Sequence, residues 1–451
     1  MTSARQLTLL ILRDIERRDS YTDVALDRHL KTVDFPRQER GLVTELVYGI
    51  IRRQRTLDCL IEQFSQKSLS QQPPDLRRIL QIGLYQLRYL DHIPPSAAVH
   101  TSVELAKQNG LRGLAGVING ILRNYLRQRL AGHDPLQLPD DPVTRIGIAQ
   151  SLPDWIVSLF LSQWDETTTE QLAAYFNQTP TLDIRINPLK TTREEVEKAL
   201  NQTQVVTQSL PHFPQALRLL DSPLPIPQLP GFEQGWWTVQ DVSAQLVGHL
   251  LDPQPGEVVI DACSAPGGKT THLAELMQDQ GQIYACDRTA SRLRKVRQSQ
   301  ARLQLQSIHP WEGDSRSFPL GDVVGQQADR VLVDVPCSGL GTLHRNPDLR
   351  WRQTPQKIAD LTRQQQDLLT QAATWVKPQG YLVYATCTLN PAENQAVITQ
   401  FLAHHPQWQI EAPDFPLGGQ AWSQPGWLQI LPHQQAMDGF FMVKLQKKEL
   451  H

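Results

Sequence analysis

Short apolar runs alternate with amphipathic helical stretches through the second half of the chain, and this alternation constrains the fold more than any other feature. The runs are rich in β-branched residues and occupy 258–263, 282–287, 330–337 and 381–388. Stretches with helical periodicity lie between them, among them THLAELMQ and QQQDLLTQAATWV. Apolar strands joined by helices are typical of a parallel sheet covered on both faces. We therefore predict a Rossmann-like α/β domain over 231–447, with its ligand at the carboxyl ends of the strands.

The first part of the chain has helical periodicity throughout. Apolar residues recur every three or four positions, and proline pairs at 73–74 and 94–95 stand where new helices should begin. Gly110 stands where a helix should end. The pattern predicts an all-helical domain over 1–140.

The middle of the chain, 143–225, is predicted to form a small mixed α/β domain. It has one short strand candidate at 182–187, followed by TTREEVEKAL, which has the features of a capped helix. The segment 211–230 holds six prolines. We expect this segment to lack regular structure and to mark the boundary before the last domain.

Basic residues concentrate at the front of the chain. Residues 1–132 hold 20 lysines and arginines against 13 acids, although the net charge of the whole chain is −2. Two interpretations stay open: the arginines contact a polyanionic partner, or they lie on solvated helix faces, as most charge runs do. The arginines concerned are Arg52, Arg53, Arg55, Arg77, Arg78, Arg123, Arg127 and Arg129.

Hydropathy and cysteine usage narrow the compartment. No apolar run approaches the roughly 20 residues that cross a bilayer, and charge appears early in the N-terminal segment, so we expect a cytoplasmic protein without a membrane span. The five cysteines are an odd number and form no C-x-x-C pair. This argues against a disulfide framework and predicts free thiols and no metal site.

A glycine-rich turn, DACSAPGGKT at 261–270, follows the first predicted strand of the last domain, and its GGKT ending invites a nucleotide interpretation. A P-loop would need glycine at position 263, where this chain has Cys263. Pro266 also removes an amide that a phosphate cradle would use. Both residues disfavour an NTPase, and the turn suits instead a cofactor whose charge is not a phosphate.

Four aspartates follow four successive predicted strands of the same domain: Asp261, Asp287, Asp314 and Asp334. Asp287 lies nineteen residues after Gly268, a spacing that lets a carboxylate accept both hydroxyls of a ribose. Any one of these acids alone is better explained as a helix cap or a turn residue. The set predicts acids around a single crevice that holds an adenosine ligand.

Two cysteines occupy the same predicted edge of the sheet, Cys337 in DVPCSG and Cys387 in YATCTLNPAEN. A buried cysteine usually serves as a small apolar residue. Cytosine carbon 5, however, is a poor nucleophile, and addition of a thiolate at carbon 6 gives it the electron pair that attacks a methyl donor. Two thiols at the ends of strands that also carry the acids are harder to explain as apolar residues alone.

The combination of DACSAPGGKT, DVPCSGLGTLHRNPDLRW, YATCTLNPAEN and DGFF resembles the RNA cytosine-5 methyltransferases of the bacterial RsmB family, also called Sun or Fmu. The helical front, with VINGILRN at 117–124, resembles the NusB-like RNA-binding domain of that group. The resemblance implies an S-adenosylmethionine-dependent methyltransferase domain preceded by a NusB-like domain and a small α/β domain. It also implies 16S ribosomal RNA as substrate, unassembled or partly folded, and no obligate protein partner.

The resemblance assigns roles to single residues. Cys387 would attack carbon 6 of the cytosine, and Cys337 would help to release the product. S-adenosylmethionine would be held by Asp287, Asp314 and Asp334, and by a turn that consists of Cys263, Ser264, Ala265, Pro266, Gly267, Gly268 and Lys269.

Further roles concern the RNA. Asp334 would contact the target base, together with Lys269, and the basic helical domain would track the phosphates. Arg185 in the middle domain would guide the RNA strand toward Cys387. Ala385 stands where members of this family often carry serine.

Two other classes of protein stay open on the sequence alone. A non-catalytic RNA-binding or antitermination factor accounts for the NusB-like front, but it needs neither paired thiols nor a cofactor turn. A P-loop NTPase accounts for GGKT but not for Cys263 and Pro266. Binding of labelled S-adenosylmethionine, compared with binding of ATP, separates the three classes.

Overall fold

The chain divides into two compact units. The first consists of Met1–Gln178 with Leu343–Arg352, and the second of Thr179–Thr342 with Gln353–His451. The computed structural model describes residues 3–222, 224–412 and 426–449. No helix in these described ranges is both long enough and apolar enough to span a membrane.

The first unit contains helices and no strand among its described residues. Pro74 and Pro95 occupy the first positions of two helices, where a missing N–H is tolerated, and Gly110, with φ of 79°, follows the end of another. The predicted helix boundaries at these positions are confirmed. The helices are α1 (Ala4–Arg18), α2 (Thr22–Leu30), α3 (Arg37–Arg52), α4 (Gln54–Phe64), α5 (Pro74–Tyr89), α6 (Pro95–Gln108), α7 (Ala115–Leu130), α8 (Pro142–Gln150), α9 (Asp154–Leu161), α10 (Glu166–Tyr175) and α16 (Leu349–Arg352).

Helix α5 lies at the centre of this unit, because every residue of 79–87 is buried. Gly83 explains how α6 and α7 pack against it. A Cβ at this position would lie 2.7 Å from Leu122 and 2.8 Å from Ser102. Only glycine leaves room for both neighbouring helices at that distance.

Helix α16 carries a buried guanidinium that joins three helix ends of the first unit. Arg350 has no exposed surface. Its side chain donates to three carbonyls, at 2.9 Å to Arg52, 3.1 Å to Ser151 and 3.0 Å to Phe176. These carbonyls lie at the C-terminal ends of α3, α8 and α10, where unpaired carbonyls carry partial negative charge. The segment Leu343–Arg352 is thereby tied into the helical unit.

Most of the arginines that make the front of the chain basic are buried or partly buried within the first unit, where they bind acids, carbonyls or rings. These are Arg52, Arg53, Arg55, Arg77 and Arg78. Three others, Arg123, Arg127 and Arg129, are exposed on α7. Each interpretation of the basic front therefore applies to part of it. Five arginines support the fold, and the three exposed arginines of α7 are available to a polyanion.

The second unit contains eight helices and twelve strands among its described residues. The helices are α11 (Arg193–Asn201), α12 (Val242–Leu251), α13 (Gly268–Leu276), α14 (Ala290–Leu303), α15 (Leu320–Val323), α17 (Pro355–Trp375), α18 (Gln395–His404) and α19 (Pro432–Gln435). The strands are β1 (Leu182–Ile186), β2 (Val206–Ser209), β3 (Ala216–Asp221), β4 (Trp237–Val239), β5 (Val258–Asp261), β6 (Gln282–Asp287), β7 (Ile308–Glu312), β8 (Ala328–Asp334), β9 (Val376–Thr386), β10 (Trp408–Ile410), β11 (Leu428–Ile430) and β12 (Phe440–Lys447).

The first four strands form a small antiparallel sheet in the order β2-β3-β1-β4. The sequence predicted one strand here and no regular structure over 211–230, and both expectations are wrong. The prolines of that segment flank β3 and do not interrupt it, so its backbone donors stay free to pair. Strand β4 completes the sheet by pairing with β1, and α8 to α10 group with the first compact unit. The domain limits of 143 and 225 stay a prediction. Thr192 and Glu195 do form a capping box at the start of α11, so the predicted capped helix is confirmed.

Arg185 of β1 does not reach the surface, which corrects the expectation that it guides RNA. Its side chain has no exposed area and donates to both carboxylate oxygens of Glu275, at 2.8 Å each. It also donates to the Gly268 carbonyl at 2.8 Å and to the Thr271 hydroxyl at 3.1 Å. A buried bidentate pair of this kind joins the small sheet to α13.

The remaining strands form an eight-stranded sheet in the order β10-β12-β9-β8-β5-β6-β7, with β11 paired to β12. Strands β9, β8, β5, β6 and β7 are parallel, so the predicted parallel α/β core is confirmed. Strand β12 runs antiparallel to β9, which the prediction of a wholly parallel sheet missed. Apolar side chains cover both faces of the sheet, as expected for buried parallel strands.

The exposed arginines of α7 lead to a test of the basic front. Arg123 and Arg127 contact only asparagines of their own helix among the contacts described. We expect the double variant Arg123→Gln/Arg127→Gln to weaken RNA binding and to lower the magnitude of the slope of log affinity against log salt by up to about two. Binding releases counterions at each phosphate contact, so a variant that makes fewer contacts releases fewer counterions. Filter binding across a salt series measures this. The matched control Lys31→Gln/Lys67→Gln removes two exposed charges elsewhere, and an equal loss of slope there would contradict a role for α7.

Candidate active site

Four aspartates meet at one edge of the large sheet. Strands β8, β5, β6 and β7 are parallel neighbours, so their carboxyl ends lie side by side. Asp261, Asp287 and Asp334 are the last residues of β5, β6 and β8, and Asp314 comes two residues after β7. The predicted grouping of these acids at the strand ends is what the structure has.

The turn between β5 and α13 is fixed by a glycine and by hydrogen bonds to β6. Gly267 has φ of 107°, in the left-handed region that favours glycine, and a Cβ there would lie 3.1 Å from the Cα of Val296. The N–H and the hydroxyl of Ser264 both donate to the Cys286 carbonyl, at 2.9 and 3.1 Å. The Ser264 hydroxyl, predicted to line the cofactor site, is therefore used to fix the turn.

Asp287 is held as a pair of acceptors at the end of β6. It is 5% exposed, and one oxygen accepts the N–H of Thr289 at 2.9 Å while the other lies 3.2 Å from Arg292. Each carboxylate oxygen can accept two hydrogen bonds. Both oxygens therefore retain capacity for a pair of ligand hydroxyls.

Asp314 is engaged by Arg316, whose guanidinium donates to both of its carboxylate oxygens. The side-chain hydrogen bond from Arg316 lowers the pKa of Asp314. Partial burial opposes this effect, and the backbone N–H and the charge of Arg316 add to it. The carboxylate is ionised at neutral pH and shares its acceptors with Arg316. A ligand at Asp314 would meet an ion pair and not a free acid.

Asp261 lies beneath the turn and has no exposed surface. Its Oδ2 accepts the Thr270 hydroxyl at 2.7 Å. Burial raises the pKa of Asp261 to about 7, the Thr270 hydrogen bond opposes this rise, and the nearby Asp334 charge adds to it. Asp261 therefore supports the turn from below.

Lys269 and Asp334 form an ion pair, with Nζ 2.7 Å from Oδ2. The Lys269 ammonium also lies 5.0 Å from the centre of the Phe440 ring, a cation–π contact. Burial lowers the pKa of Lys269, but the charge of Asp334, with smaller contributions from Cys387 and Asp261, raises it overall. Lys269 thus carries its charge next to both an acid and a thiol.

The two cysteine sulfurs lie 3.3 Å apart. The pairing of β8 with β9 continues past both strand ends, since the Val335 N–H donates to the Ala385 carbonyl at 3.1 Å and the Gly341 N–H to the Cys387 carbonyl at 3.0 Å. The hydrogen bond to Cys387, then burial, then the charges of Cys387 and Glu393 raise the pKa of Cys337 well above its usual range. Cys337 is therefore a thiol at neutral pH.

Cys263, the other cysteine predicted at the site, lies in the turn apart from this sulfur pair. Burial, with the charges of Asp261, Asp334 and Asp287, raises the pKa of its thiol. It contributes a neutral side chain to the cofactor turn. The structure thus brings together Cys337, Cys387, Lys269 and Asp334, with Asp287 and Asp314 two and three strands along the edge from β8.

Phe440, in the motif DGFF, is a site residue that was not predicted from the sequence. The Gly439 N–H donates to the Gly341 carbonyl at 2.9 Å, and a Cβ at Gly341 would lie 2.1 Å from the Gly439 oxygen. This glycine-to-glycine approach brings the start of β12 against the Cys337 loop. The available signal was a glycine directly before an apolar strand, which often marks close backbone approach.

The residues present fit S-adenosylmethionine. Asp287 offers acceptors for ribose hydroxyls, and the first N–H groups of α13, which have no partners within the helix, suit a carboxylate. The acids along the edge suit a donor that carries an ammonium and a sulfonium group. A phosphate finds no such match, since Asp334 and Asp287 would repel it.

Three family models match the chain in order. The NusB family model matches residues 2–127, the ferredoxin-like domain model of RsmF/B-like methyltransferases matches 152–226, and the 16S rRNA methyltransferase RsmB/F model matches 248–446. These matches confirm the predicted fold classes: a NusB-like helical domain, a small α/β domain and a methyltransferase domain. They also confirm the resemblance stated from the motifs.

Relatives match over nearly the whole chain. A probable ribosomal RNA small subunit methyltransferase B of Synechocystis is 56% identical and covers 99% of this chain and 100% of its own length. A protein of the same name from Bacillus subtilis is 34% identical and covers 99% of both chains. Among solved structures, the crystal structure of PH0851 has 26% identity and a TM-score of 0.78, and covers 98% of this chain and 97% of its own.

The raised pKa of Asp261 makes stability depend on pH. A carboxyl whose folded pKa of about 7 exceeds its unfolded value contributes stability that is present at low pH and lost as pH rises toward and through 7. We expect Asp261→Asn to remove this loss, so that the melting temperature of the variant relative to the wild type rises between pH 5 and 8. Below pH 7 this rise corresponds to a gain in the free energy of unfolding on the order of 1 kcal/mol per pH unit. Thermal denaturation without ligands measures this, with exposed Asp322→Asn as control. A constant difference across this pH range would contradict the raised pKa.

Proposed function

The chain belongs to the family of the 16S rRNA methyltransferases RsmB/F, and we propose that it moves a methyl group from S-adenosylmethionine to carbon 5 of a cytosine in small-subunit ribosomal RNA. One observation carries this proposal: two thiols 3.3 Å apart, beside the Lys269–Asp334 ion pair. A methyltransferase that modifies an already nucleophilic atom needs no such thiol pair. Carbon 5 of cytosine does need a covalent nucleophile, because its own electron density is too low to attack a methyl donor.

In the proposed reaction Cys387 attacks first. Its thiolate sulfur bonds to carbon 6, and the electron pair of the 5,6 double bond moves onto carbon 5. Carbon 5 then uses this pair to bond the methyl group, which leaves a neutral thioether behind. S-adenosylmethionine supplies the methyl group as a sulfonium when bound.

Release requires the reverse of the first step. The carbon 5 proton is lost to water, the electron pair returns to the ring, and the bond between carbon 6 and sulfur breaks. Cys337, a thiol 3.3 Å away, donates its proton to the departing Cys387 sulfur. This proton returns to Cys337 when Cys387 becomes a thiolate again, so that each cycle delivers one proton to solvent.

The ion pair beside the thiols has a role in each half of the reaction. We assign Asp334 to accept a hydrogen bond from the amino group of the cytosine and so to orient the ring. Lys269, whose charge interacts with Cys387, provides a counter-ion for the thiolate. The two side chains lie 2.7 Å apart as an ion pair, so both charges would lie beside the reacting base.

The cofactor is assigned to the turn and to the neighbouring strand ends. Asp287 would accept the ribose hydroxyls, and Asp314, within its ion pair with Arg316, would complete the pocket. The turn residues Cys263 to Lys269 would hold the methionine portion through their backbone groups and the start of α13.

The substrate must present an unstacked base to this edge of the sheet. A cytosine within a regular helix cannot reach the thiols, which favours ribosomal RNA that is unassembled or partly folded. The exposed arginines of α7 would bind its phosphates. With ribosomal RNA as its substrate, the reaction would take place in the cytoplasm. A non-catalytic RNA-binding factor would need neither the thiol pair nor the acids.

The two cysteines act at different steps, so their variants should fail differently. We expect Cys387→Ala to abolish methyl transfer and any covalent complex, because the bond to carbon 6 cannot form. Cys337→Ala should still attack and methylate but release slowly, so that a protein–RNA adduct accumulates in the presence of S-adenosylmethionine. Denaturing electrophoresis with labelled RNA measures the adduct, and the double variant should show none.

Cys59→Ala, which removes a thiol in the helical unit, is the matched control and should behave as the wild type. If the adduct accumulated with Cys387→Ala and disappeared with Cys337→Ala, the roles of the two thiols would be reversed.

A further inference from the structure

Two adjacent buried polar residues, Glu393 and Asn394, hold the loops that carry the thiols. They lie between β9 and α18, and both have 0% exposed surface. The reaction proposed above gives neither of them a role. Since a buried polar side chain is costly unless its hydrogen bonds are made, the partners of these two residues indicate what each one does.

The Asn394 side chain forms hydrogen bonds with the residues on both sides of Cys387. Its side-chain oxygen accepts the Thr386 hydroxyl at 2.6 Å, and its side-chain nitrogen donates to the Thr388 carbonyl at 3.0 Å. All of these groups are buried. The backbone that carries Cys387 is therefore fixed immediately before and after the sulfur-bearing residue.

The Glu393 carboxylate accepts hydrogen bonds from the residue next to Cys337. Its carboxylate accepts the backbone N–H of Ser338 at 2.8 Å and the Ser338 hydroxyl at 2.5 Å. It also accepts side-chain N–H groups of Gln365 at 3.1 Å and Asn390 at 3.2 Å. Gln365 in turn donates to the Pro336 carbonyl at 2.9 Å, so that both neighbours of Cys337 are anchored through one network.

The Ser338 hydroxyl also lies 2.8 Å from the Thr388 hydroxyl. Ser338 follows Cys337 and Thr388 follows Cys387, so this contact joins the two loops directly behind their thiols. The network thus fixes the two sulfurs relative to each other, and not only each loop to its own strand.

Among the described residues, hydrogen-bond donors, and not a cation, surround the carboxylate of Glu393. In the described part of the chain no lysine or arginine pairs with it, and its partners are hydrogen-bond donors, as an ionised carboxylate requires. A buried carboxylate held this way is expensive compared with a neutral side chain of the same size. Holding two loops would not by itself require the charge.

We propose that Glu393 and Asn394 are positioning residues that give the two thiols their separate roles: Asn394 sets Cys387 for attack, and Glu393 keeps Cys337 beside it as a proton-carrying thiol. This inference rests on the proposed covalent reaction. The negative carboxylate disfavours a second negative charge on the Cys337 sulfur, so the proton returns to Cys337 after release and leaves Cys387 as the thiolate for the next attack. The charge of Lys269 interacts with Cys387.

The charges around the two thiols are divided accordingly. The Glu393 charge is one of the causes that raise the pKa of Cys337, after the hydrogen bond to Cys387 and burial. Tyr384 adds no charge, because burial, with the charges of Cys337 and Glu393, raises its pKa, and its hydroxyl donates to the Glu393 carbonyl at 2.6 Å. The titratable groups that interact with the two thiols are Glu393, Tyr384 and Lys269, and Asp334 is ion-paired with Lys269.

Two neighbouring substitutions in the full-length enzyme should have opposite signatures. With 16S ribosomal RNA and S-adenosylmethionine, we expect Glu393→Gln to methylate in its first turnover and then to accumulate the covalent adduct severalfold over the wild type. An amide cannot accept all of the N–H and O–H groups that the carboxylate holds, so Cys337 is no longer fixed beside the departing sulfur. We expect Asn394→Ala to slow the first turnover by on the order of tenfold, through misplacement of Cys387, and to form less adduct. A merely structural role for both residues would lower methylation and adduct together in both variants, and that result would overturn the proposal.

A second measurement needs neither RNA nor S-adenosylmethionine. The alkylation rate of each cysteine by iodoacetamide, followed by peptide mass spectrometry between pH 6 and 10, gives a titration midpoint for Cys337. We expect Glu393→Gln to lower this midpoint by about one pH unit. Asp367→Asn, which removes an exposed charge from α17, is the matched control and should leave it unchanged. An unchanged Cys337 midpoint in folded Glu393→Gln would overturn the proposal.

The two measurements separate this inference from the proposed reaction. If the roles of the cysteines proved reversed in the adduct assay, the alkylation midpoints would still report whether Glu393 controls the Cys337 proton. If Glu393→Gln failed to fold, Ser338→Ala would replace it, since it removes the hydroxyl that links Glu393 to the Cys337 loop. Accumulated adduct with Ser338→Ala supports the proposal, and wild-type release contradicts it.

Discussion

Parallel pairing of β8 with β9 is the contact on which the active site depends. Asp334 pairs with Ala385 in register, and the chain then leaves both strands in step, so that Cys337 and Cys387 follow within three residues of this pair. Two further backbone bonds continue the pairing through the loops. A slip of one residue would turn every side chain of a strand to the other face and separate the sulfurs. The geometry of the thiols is thus a property of the sheet, and the buried Glu393 network refines it.

Buried charges hold elements together within each unit. Arg185 and Glu275 form a bidentate pair that joins β1 to α13, the helix that begins at the cofactor turn. In the helical unit, Arg350 gathers the C-terminal carbonyls of three helices around the segment 343–352. Such groups add little net stability compared with apolar packing, but each one is satisfied only in a single arrangement. Each group therefore specifies the local geometry of its own unit.

Much of this architecture could be predicted from the sequence, because it follows from local patterns. The parallel core strands, the helical front and the proline-started helices are encoded in periodicity and in residues with fixed backbone preferences. The four aspartates could be grouped because carboxyl ends of parallel strands share an edge. Strand β3 was not predicted because the prolines that flank it resemble prolines that would interrupt it. Strand β12 was not predicted because its antiparallel pairing leaves no local signal in the sequence.

Residues whose role depends on a distant partner were beyond the sequence. Arg185 looks like any exposed arginine until Glu275, ninety positions later, is seen to neutralise it. Glu393 was quoted within a motif, yet only the three-dimensional contact with Ser338 shows that it touches the loop of the other cysteine. The same holds for Phe440, which meets Lys269 through the approach of two glycines.

The central claim is that the methyl group goes to carbon 5 of cytosine through a reversible covalent bond. The most direct measurement uses 16S ribosomal RNA transcribed with cytidine that carries tritium at carbon 5, together with carbon-labelled S-adenosylmethionine. Methylation at carbon 5 must displace the hydrogen there, so the account expects tritium release into water in equal amount to methyl transfer. Methyl transfer without release of tritium would place the group on another atom and contradict the account.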